Sequence, residues 1–276
     1  MNTYLSMPDD LNLYRSVYPN ITVIRNTDSV PDDIDLLIVP GGSDVNPAKY
    51  GQKLNGAYGI DSYRDDLEFE IIRQSIRHNP EIRLLGICRG CQVLGVLWGG
   101  ELFQDLGRIG LSHKPVHDIV HHVKNSFSWL TSVNSLHHQA VCSLGSDSHA
   151  LAHEPSTDIL EIIKFGSYAL GVQFHPEMFG PELRSKFFAV ITDWVTNKTP
   201  LVEPLKVLDL RDRDVSQFIT VAQDWVDTTT NIGPGIGPIV FTPTWNPDIV
   251  AVMEDDHDDN DNDNDDHDDD DNDNEV

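Results

Sequence analysis

Short apolar runs alternate with a longer amphipathic segment in the first hundred residues. The runs are bounded by polar and turn residues, as is typical of buried parallel strands, and they cover residues 21–24, 36–39 and 82–87. Between residues 62 and 78 the apolar positions follow a helical spacing, with Leu67 and Ile71 on one side and charged residues on the other. Residues 91–98 are typical of a buried helix. This alternation predicts an α/β fold with a doubly wound, mostly parallel sheet and helices on both faces.

The second part of the domain has a different pattern. Residues 109–148 are rich in strand-like and loop-like segments, and residues 159–164 and 169–174 predict two strands joined by a short turn. Residues 181–194 predict an amphipathic final helix. We therefore expect one domain over residues 1–199, followed by an extension over 200–252 to which the pattern assigns no function.

The formal net charge of −26 is concentrated at one end of the chain. Fifteen of the 45 acidic side chains lie between residues 254 and 275, which leaves −11 for the other residues. Such a low-complexity segment cannot bury apolar surface, so residues 253–276 are expected to form a disordered acidic tail. Nucleic acid is not an expected partner, because phosphate contacts require clustered lysine and arginine.

The cysteine count and the apolar runs indicate where the protein works. Three cysteines, an odd number, argue against a disulfide framework and fit a reducing compartment. No apolar stretch approaches the roughly 18–20 residues that span a bilayer, and the N-terminus shows no secretory signal. These features predict a cytoplasmic protein without a membrane partner.

The segment Gly86-Ile87-Cys88-Arg89-Gly90 has the shape of a nucleophile elbow. It joins a predicted strand to a predicted helix, and its glycines leave room for a strained turn. The partial positive charge at the start of the helix favours a thiolate at Cys88, the form that attacks a carbonyl carbon.

A cysteine nucleophile needs a base and a group that orients the base. His175 follows an apolar strand, Pro176 ends strand pairing there, and Glu177 supplies a carboxylate two residues later. If this strand end lies beside the elbow, Cys88, His175 and Glu177 form a catalytic triad.

Six separated blocks of sequence resemble the class I glutamine amidotransferases, specifically the branch similar to γ-glutamyl-γ-aminobutyrate hydrolase, the peptidase C26 group. In chain order, the blocks are Pro40–Pro47 with Tyr50-Gly51, Arg64-Asp65 with Glu68, Gly86–Gly90 with Gln92, Gly99–Leu102 with Gln104-Asp105, Val133–Gln139, and Gly171–Glu177. Their order and spacing agree with the family over about residues 35–195. The family's N-terminal strand is expected to be short or absent, because few residues precede Pro40.

The resemblance implies a flavodoxin-like fold and a cysteine-dependent hydrolase of C–N amide bonds that uses no cofactor. Cys88 would attack the carbonyl of glutamine or a γ-glutamyl amide, while His175 transfers protons and Glu177 orients the imidazole. The backbone N–H groups of Gly42 and Arg89 would hold the oxyanion. The residues implied in substrate binding are Gly41, Gln92, His137 and His138. The enzyme would be either a free-standing γ-glutamyl hydrolase or a glutaminase that supplies ammonia to a separate synthetase or amide ligase.

Other patterns leave alternatives open. Cys88 and Cys91 form a C-x-x-C at a helix start, which is typical of redox proteins and could also form a regulatory disulfide. A catalytically inactive interaction protein that works through its tail is a further alternative. Two patterns resemble metal sites, but neither is complete, so no metal is expected. The histidine cluster lacks a full set of zinc ligands; it consists of His113, His117, His121 and His122. The acidic run lacks the glycine and the final glutamate of a calcium loop; it begins with Asp261, Asp263 and Asp265.

Overall fold

The computed structural model describes residues 1–7, 10–109, 120–125, 127 and 129–198. Its helices are α1 (Leu11–Arg15), α2 (Ser62–His78), α3 (Arg89–Leu97) and α4 (Pro181–Asn197). Its strands are β1 (Thr3–Ser6), β2 (Thr22–Ile24), β3 (Leu36–Val39), β4 (Arg83–Ile87), β5 (Glu101–Phe103), β6 (Val120–His122), β7 (Lys124–Asn125), β8 (Ser132–Asn134), β9 (Ala140–Ser143), β10 (Ser148–His153), β11 (Leu160–Phe165) and β12 (Ala169–Val172). The extension predicted over 200–252 and the tail predicted over 253–276 lie outside the described residues.

The central sheet has the strand order β2-β1-β3-β4-β12-β11-β10-β7. In this order, the first five strands, β2, β1, β3, β4 and β12, pair with one another in parallel. The pairs β12–β11, β11–β10 and β10–β7 are antiparallel. Two small antiparallel pairs, β5-β9 and β6-β8, lie outside it. The prediction of a flavodoxin-like α/β fold with a mostly parallel sheet is confirmed.

Apolar side chains cover both faces of this sheet, because successive residues of a strand point to opposite sides. On one face Leu37 and Val39 of β3 pack in one core cluster with apolar residues of α2 and α3. On the other face Leu36 and Ile38 pack in a second cluster with Tyr14 of α1 and apolar residues of α4. All four residues of β3 are fully buried, which explains why its sequence is continuously apolar rather than alternating.

The N-terminal strand is present but short. Thr3–Ser6 forms β1, which is four residues long and lies between β2 and β3. The apolar pattern did not predict it, because Thr3 and Ser6 are polar although both are buried. No helix in the described part of the chain is long and apolar enough to cross a membrane.

Glu154 holds the turn between β10 and β11. Its carboxylate accepts the N–H groups of Ser156 at 3.1 Å and Thr157 at 2.7 Å, and the hydroxyls of both residues at 2.7 Å. Burial by itself raises the pKa of this carboxyl, but the four hydrogen bonds outweigh burial and lower the pKa from 4.5 to about 2. The ionised form is therefore the form that the folded protein stabilises.

Replacing Glu154 by glutamine should lower the free energy of unfolding at pH 7 by about 1–3 kcal/mol, because a neutral amide accepts weaker hydrogen bonds than a carboxylate. The pKa is lower in the folded than in the unfolded state, so this stabilisation is complete above pH 4.5 and disappears as the pH falls through about 2. Denaturant unfolding should therefore show a smaller difference between variant and wild type at pH 3 than at pH 7. Asp28→Asn, at an exposed carboxylate, is the control, and equal Glu154→Gln differences at both pH values would contradict the prediction.

Candidate active site

Cys88 occupies a strained turn between β4 and α3. Its backbone has φ 51° and ψ −106°, a conformation that is rare for a residue other than glycine, and only 6% of its surface is exposed. A Cβ atom added to Gly86 would lie 2.4 Å from the carbonyl oxygen of Gly90, and one added to Gly90 would lie 1.9 Å from that of Val39. The two glycines therefore allow the tight strand-to-helix turn that the sequence predicts.

Strand β12 brings the segment that contains His175 to the elbow. It pairs in parallel with β4, with Val172 opposite Ile87, and the Cys88 N–H donates to the Val172 carbonyl at 2.8 Å. Since the two strands run in the same direction, the residues that follow each of them meet at the same edge of the sheet. His175 thus reaches Cys88 although the two residues are far apart in the chain.

The His175 side chain is held between two groups. Its Nδ1 lies 2.7 Å from Glu177 Oε1, and the ring lies close enough to Cys88 to interact with its charge. Burial by itself lowers the pKa of His175, but its interactions with Cys88 and Glu177 raise it from 6.5 to about 11. The imidazolium is therefore the stable form of His175 at neutral pH.

Two residues that the sequence did not single out for this role support the pair. The Asn134 side chain donates to the His175 carbonyl at 2.9 Å and accepts the His175 N–H at 2.8 Å. The Tyr14 hydroxyl donates to Glu177 Oε1 at 3.4 Å, and Glu177 is only 3% exposed. Both contacts join segments that are distant in the chain, so no local sequence pattern reveals them.

The Gly41-Gly42 turn after β3 lies against the same pair. A Cβ added to Gly41 would lie 2.7 Å from His175 Cε1 and 3.6 Å from Cys88 Cβ. Gly42 has φ 154° and is exposed. Its N–H group, like that of Arg89 in the first turn of α3, has no acceptor among the residues that the structure describes. Two backbone donors on neighbouring elements are thus available to a ligand.

The other residues implied in substrate binding differ in their surroundings. Gln92 and His137 are buried and hydrogen-bond to the backbone carbonyl of Gln139, Gln92 through Nε2 at 3.0 Å and His137 through Nδ1 at 2.9 Å. His138 lies 2.7 Å from Asp44 Oδ1, and its ring stacks on Tyr58 at 4.2 Å. Their roles in substrate binding stay predictions.

The charged residues at the start of α2 are buried, although the helical pattern placed charged residues on the side opposite Leu67 and Ile71. Arg64, Asp65 and Glu68 are buried and make ion pairs or hydrogen bonds with one another, with Arg89 and with the Gly41-Gly42 turn. Amphipathic spacing could not reveal this, because it assigns charged positions to the outer face of a helix.

The cysteines and histidines were also candidates for redox and metal chemistry. Cys88, Cys91 and Cys142 are free thiols, and burial raises the pKa of Cys91 well above 9. No group of three or more metal-ligating side chains occurs in the part of the chain that the structure describes. His113, His117 and the aspartates of the tail lie outside that part, as does the side chain of His121.

Comparison with known proteins gives consistent matches. The model of the peptidase C26 family matches residues 17–177, more than half of the 276 residues. A candidate glutamine amidotransferase-like protein of Lactococcus lactis, YvdE, is 34% identical over 158 residues, which cover 52% of this chain and 66% of that protein. A candidate glutamine amidotransferase of Schizosaccharomyces pombe, PB2B2.05, is 34% identical over 176 residues, which cover 58% of this chain and 67% of that protein. The matched part thus spans about two thirds of the length of these relatives.

Two further similarities have either a shorter matched segment or a lower sequence identity. The glutamine-hydrolysing GMP synthase component of Ignicoccus hospitalis is 33% identical over 116 residues, which cover 38% of this chain and 56% of that protein. A solved glutamine amidotransferase of Thermotoga maritima has 16% identity and a TM-score of 0.45, and the match covers 82% of this chain and 97% of that one. On the family match and the identity with its relatives, the chain belongs to the peptidase C26 family of class I glutamine amidotransferase-like proteins.

Proposed function

We propose that this protein hydrolyses the amide bond of glutamine or of another γ-glutamyl amide through a thioester at Cys88. One observation carries the proposal: the His175 ring hydrogen-bonds to Glu177 on one side and lies beside Cys88, whose charge interacts with it, on the other. This is the arrangement that a base needs to activate a thiol and to stay correctly oriented. Family membership supports a hydrolase of this kind.

In the proposed reaction, the Cys88 thiolate forms a bond to the carbonyl carbon, and the carbonyl electron pair moves onto oxygen. The N–H groups of Gly42 and Arg89 stabilise this oxyanion. The C–N bond then breaks, His175 gives its proton to the leaving amine, and a thioester remains. His175 next takes a proton from water, whose oxygen forms a bond to the thioester carbon. The C–S bond then breaks, the thiolate returns, and the γ-carboxylic acid leaves and loses its proton to solvent.

The substrate would bind at the carboxyl edge of the sheet. Gly41 lies against the Cys88–His175 pair, so it would line the acyl group, and His138 would lie beside the same turn through its contact with Asp44. Gln92 and His137 would support this region from the protein interior, because both hydrogen-bond to the backbone carbonyl of Gln139. These residues are proposed to set the fit of the γ-glutamyl group.

A second candidate is a glutaminase that supplies ammonia to a separate synthetase or amide ligase. It is favoured by the similarity to the GMP synthase component, whose name describes glutamine hydrolysis within a larger enzyme. Either reaction proceeds through the same thioester. We propose a cytoplasmic location for both, because a reducing compartment keeps the free Cys88 thiol active.

The test is a panel of glutamine and γ-glutamyl amides with aliphatic, aromatic and charged leaving amines, incubated with the full chain. Glutamate release should occur with at least one substrate, and intact-mass spectrometry of the quenched reaction should show a glutamyl adduct on Cys88. Preference for a substituted amide would support the free-standing hydrolase, and preference for glutamine with ammonia release would support the glutaminase. Release of glutamate from none of the substrates would overturn the proposed function.

A further inference from the structure

We propose that four buried charged residues, Arg64, Asp65, Glu68 and Arg89, are positioning residues that aim the backbone N–H of Gly42 at the reacting carbonyl oxygen. This group is called the ion quartet below. The proposal rests on the proposed function, because it concerns the oxyanion that forms when Cys88 attacks. It assigns the quartet a role in the reaction in addition to any role in folding.

The quartet holds the elbow from the side of α2. The Arg89 guanidinium donates to Asp65 Oδ1 at 2.5 Å and to Glu68 Oε2. Arg89 also provides the second proposed oxyanion donor, its own N–H, in the first turn of α3. The same residue therefore carries an oxyanion donor on its backbone and an anchor to α2 on its side chain.

The quartet also holds the glycine turn. Arg64 donates through Nη2 to the Gly41 carbonyl at 2.7 Å and through Nε to Glu68 Oε1 at 3.3 Å. Asp65 Oδ2 accepts the N–H of Asn46 at 2.9 Å, at the far end of the same loop. Helix α2 thus connects the two elements that carry the proposed oxyanion donors.

The contact with the Gly41 carbonyl determines where the Gly42 N–H points. These two groups belong to one peptide unit, which is planar and trans, so the C=O and the N–H point in opposite directions. Because Arg64 holds the oxygen, the hydrogen must point away from Arg64. Gly42 itself has weak conformational preferences, so the side chain of Arg64 supplies the restraint that the backbone lacks.

Space around Gly42 supports the same conclusion. A Cβ atom added to Gly42 would lie 2.2 Å from Arg64 Nη1, so the guanidinium packs directly against the turn. The quartet has no net formal charge, and its members are at most 6% exposed. Burying such a set gives little stability over apolar residues of similar volume, whereas apolar residues could not hold the Gly41 oxygen.

The experiment compares Arg64→Met and Arg64→Lys with wild type on the best substrate from the panel. Arg64→Met should lower kcat about 10- to 100-fold with little change in KM, because the oxyanion forms only after substrate has bound. The kcat of Arg64→Lys should lie between those of wild type and Arg64→Met, because lysine keeps the positive charge but lacks the planar guanidinium with its paired N–H donors. Asp66→Asn is the matched control: Asp66 is also on α2, but its side chain is 70% exposed, so kcat should stay within about twofold of wild type.

Two further readouts separate positioning from simple loss of structure. Alkylation of Cys88 by iodoacetamide needs the thiolate and no oxyanion, so its rate should stay close to wild type in Arg64→Met. Guanidinium ion added at millimolar concentration should restore part of the kcat of an Arg64→Ala variant and should not affect Asp66→Asn.

The possible outcomes are distinct. If the Arg64 variants keep wild-type kcat, or if alkylation and melting temperature fall together with kcat while Asp66→Asn is unaffected, the positioning role is wrong and the proposed hydrolase stands. If the Arg64→Met and Arg64→Ala chains fail to fold, Arg64→Lys alone decides, through its kcat relative to its alkylation rate. If the wild-type chain hydrolyses nothing in the panel, the proposed function fails and the oxyanion role fails with it.

Discussion

Replacing Cys88 by alanine should lower the proposed turnover of γ-glutamyl amides by at least about 10⁴-fold, because the proposed thioester forms at this sulfur. The fold should survive the change, because alanine is smaller than cysteine. The nearby glycines, Gly86 and Gly90, still leave room for the strained backbone at position 88. Steady-state glutamate release, combined with thermal unfolding of the same sample, measures both effects.

Cys142→Ala is the matched control for this prediction. Cys142 is another free thiol, but burial raises its pKa to about 12, so it is not a nucleophile near neutral pH. Its replacement should leave turnover near the wild-type value. Full activity in Cys88→Ala would show that the nucleophile is elsewhere, and equal losses in both variants would indicate a structural effect.

Replacing His175 by asparagine should lower turnover about 10³- to 10⁴-fold, because the leaving amine loses its proton donor and the attacking water loses its base. The ring should be charged in the resting wild-type protein, since Cys88 and Glu177 raise its pKa to about 11. Its Cε1 proton resonance, identified by its absence in His175→Asn, should therefore show no titration between about pH 6 and pH 9.

The Cys88→Ala variant tests the origin of this charge. Among the interactions that raise the pKa of His175, the charge of Cys88 is the largest. Its removal should move the titration of the His175 ring to lower pH, while Glu177 keeps some of the increase. An unchanged titration in Cys88→Ala would mean that the thiolate and the imidazolium do not form a pair.

Much of the fold follows from local sequence patterns. Helix α2 has the predicted bounds, β3 coincides with the apolar run over 36–39, and β4 differs from its predicted run by one residue. These elements have a strong periodicity or a continuously apolar sequence, and both report burial directly. Strand β1 lacks such a pattern. It is held in the sheet by pairing with β2 on one side and β3 on the other, and a local sequence pattern does not report this pairing.

The candidate site was only partly visible in the sequence. The resemblance to the family pointed to Arg64, Asp65 and Glu68, but their spacing showed only that charged residues lie on the side of the helix opposite its apolar residues. Their burial depends on Arg89 and on the turn at Gly41, which approach from other parts of the chain. A local sequence pattern contains no information on a distant residue of opposite charge. It therefore cannot show whether the free-energy cost of burying a charged side chain is offset by an ion pair.

The amino-acid sequence by itself determined the chemistry available to this protein: a cysteine on a glycine-flanked turn at a helix start, and a histidine with a carboxylate two residues later. Only the tertiary structure decided that these groups meet, because parallel pairing of β12 with β4 joins segments that no local interaction connects. The direction of the Gly42 N–H is likewise a tertiary property. Glycine permits many peptide orientations, and the contact between Arg64 and the Gly41 carbonyl selects one of them.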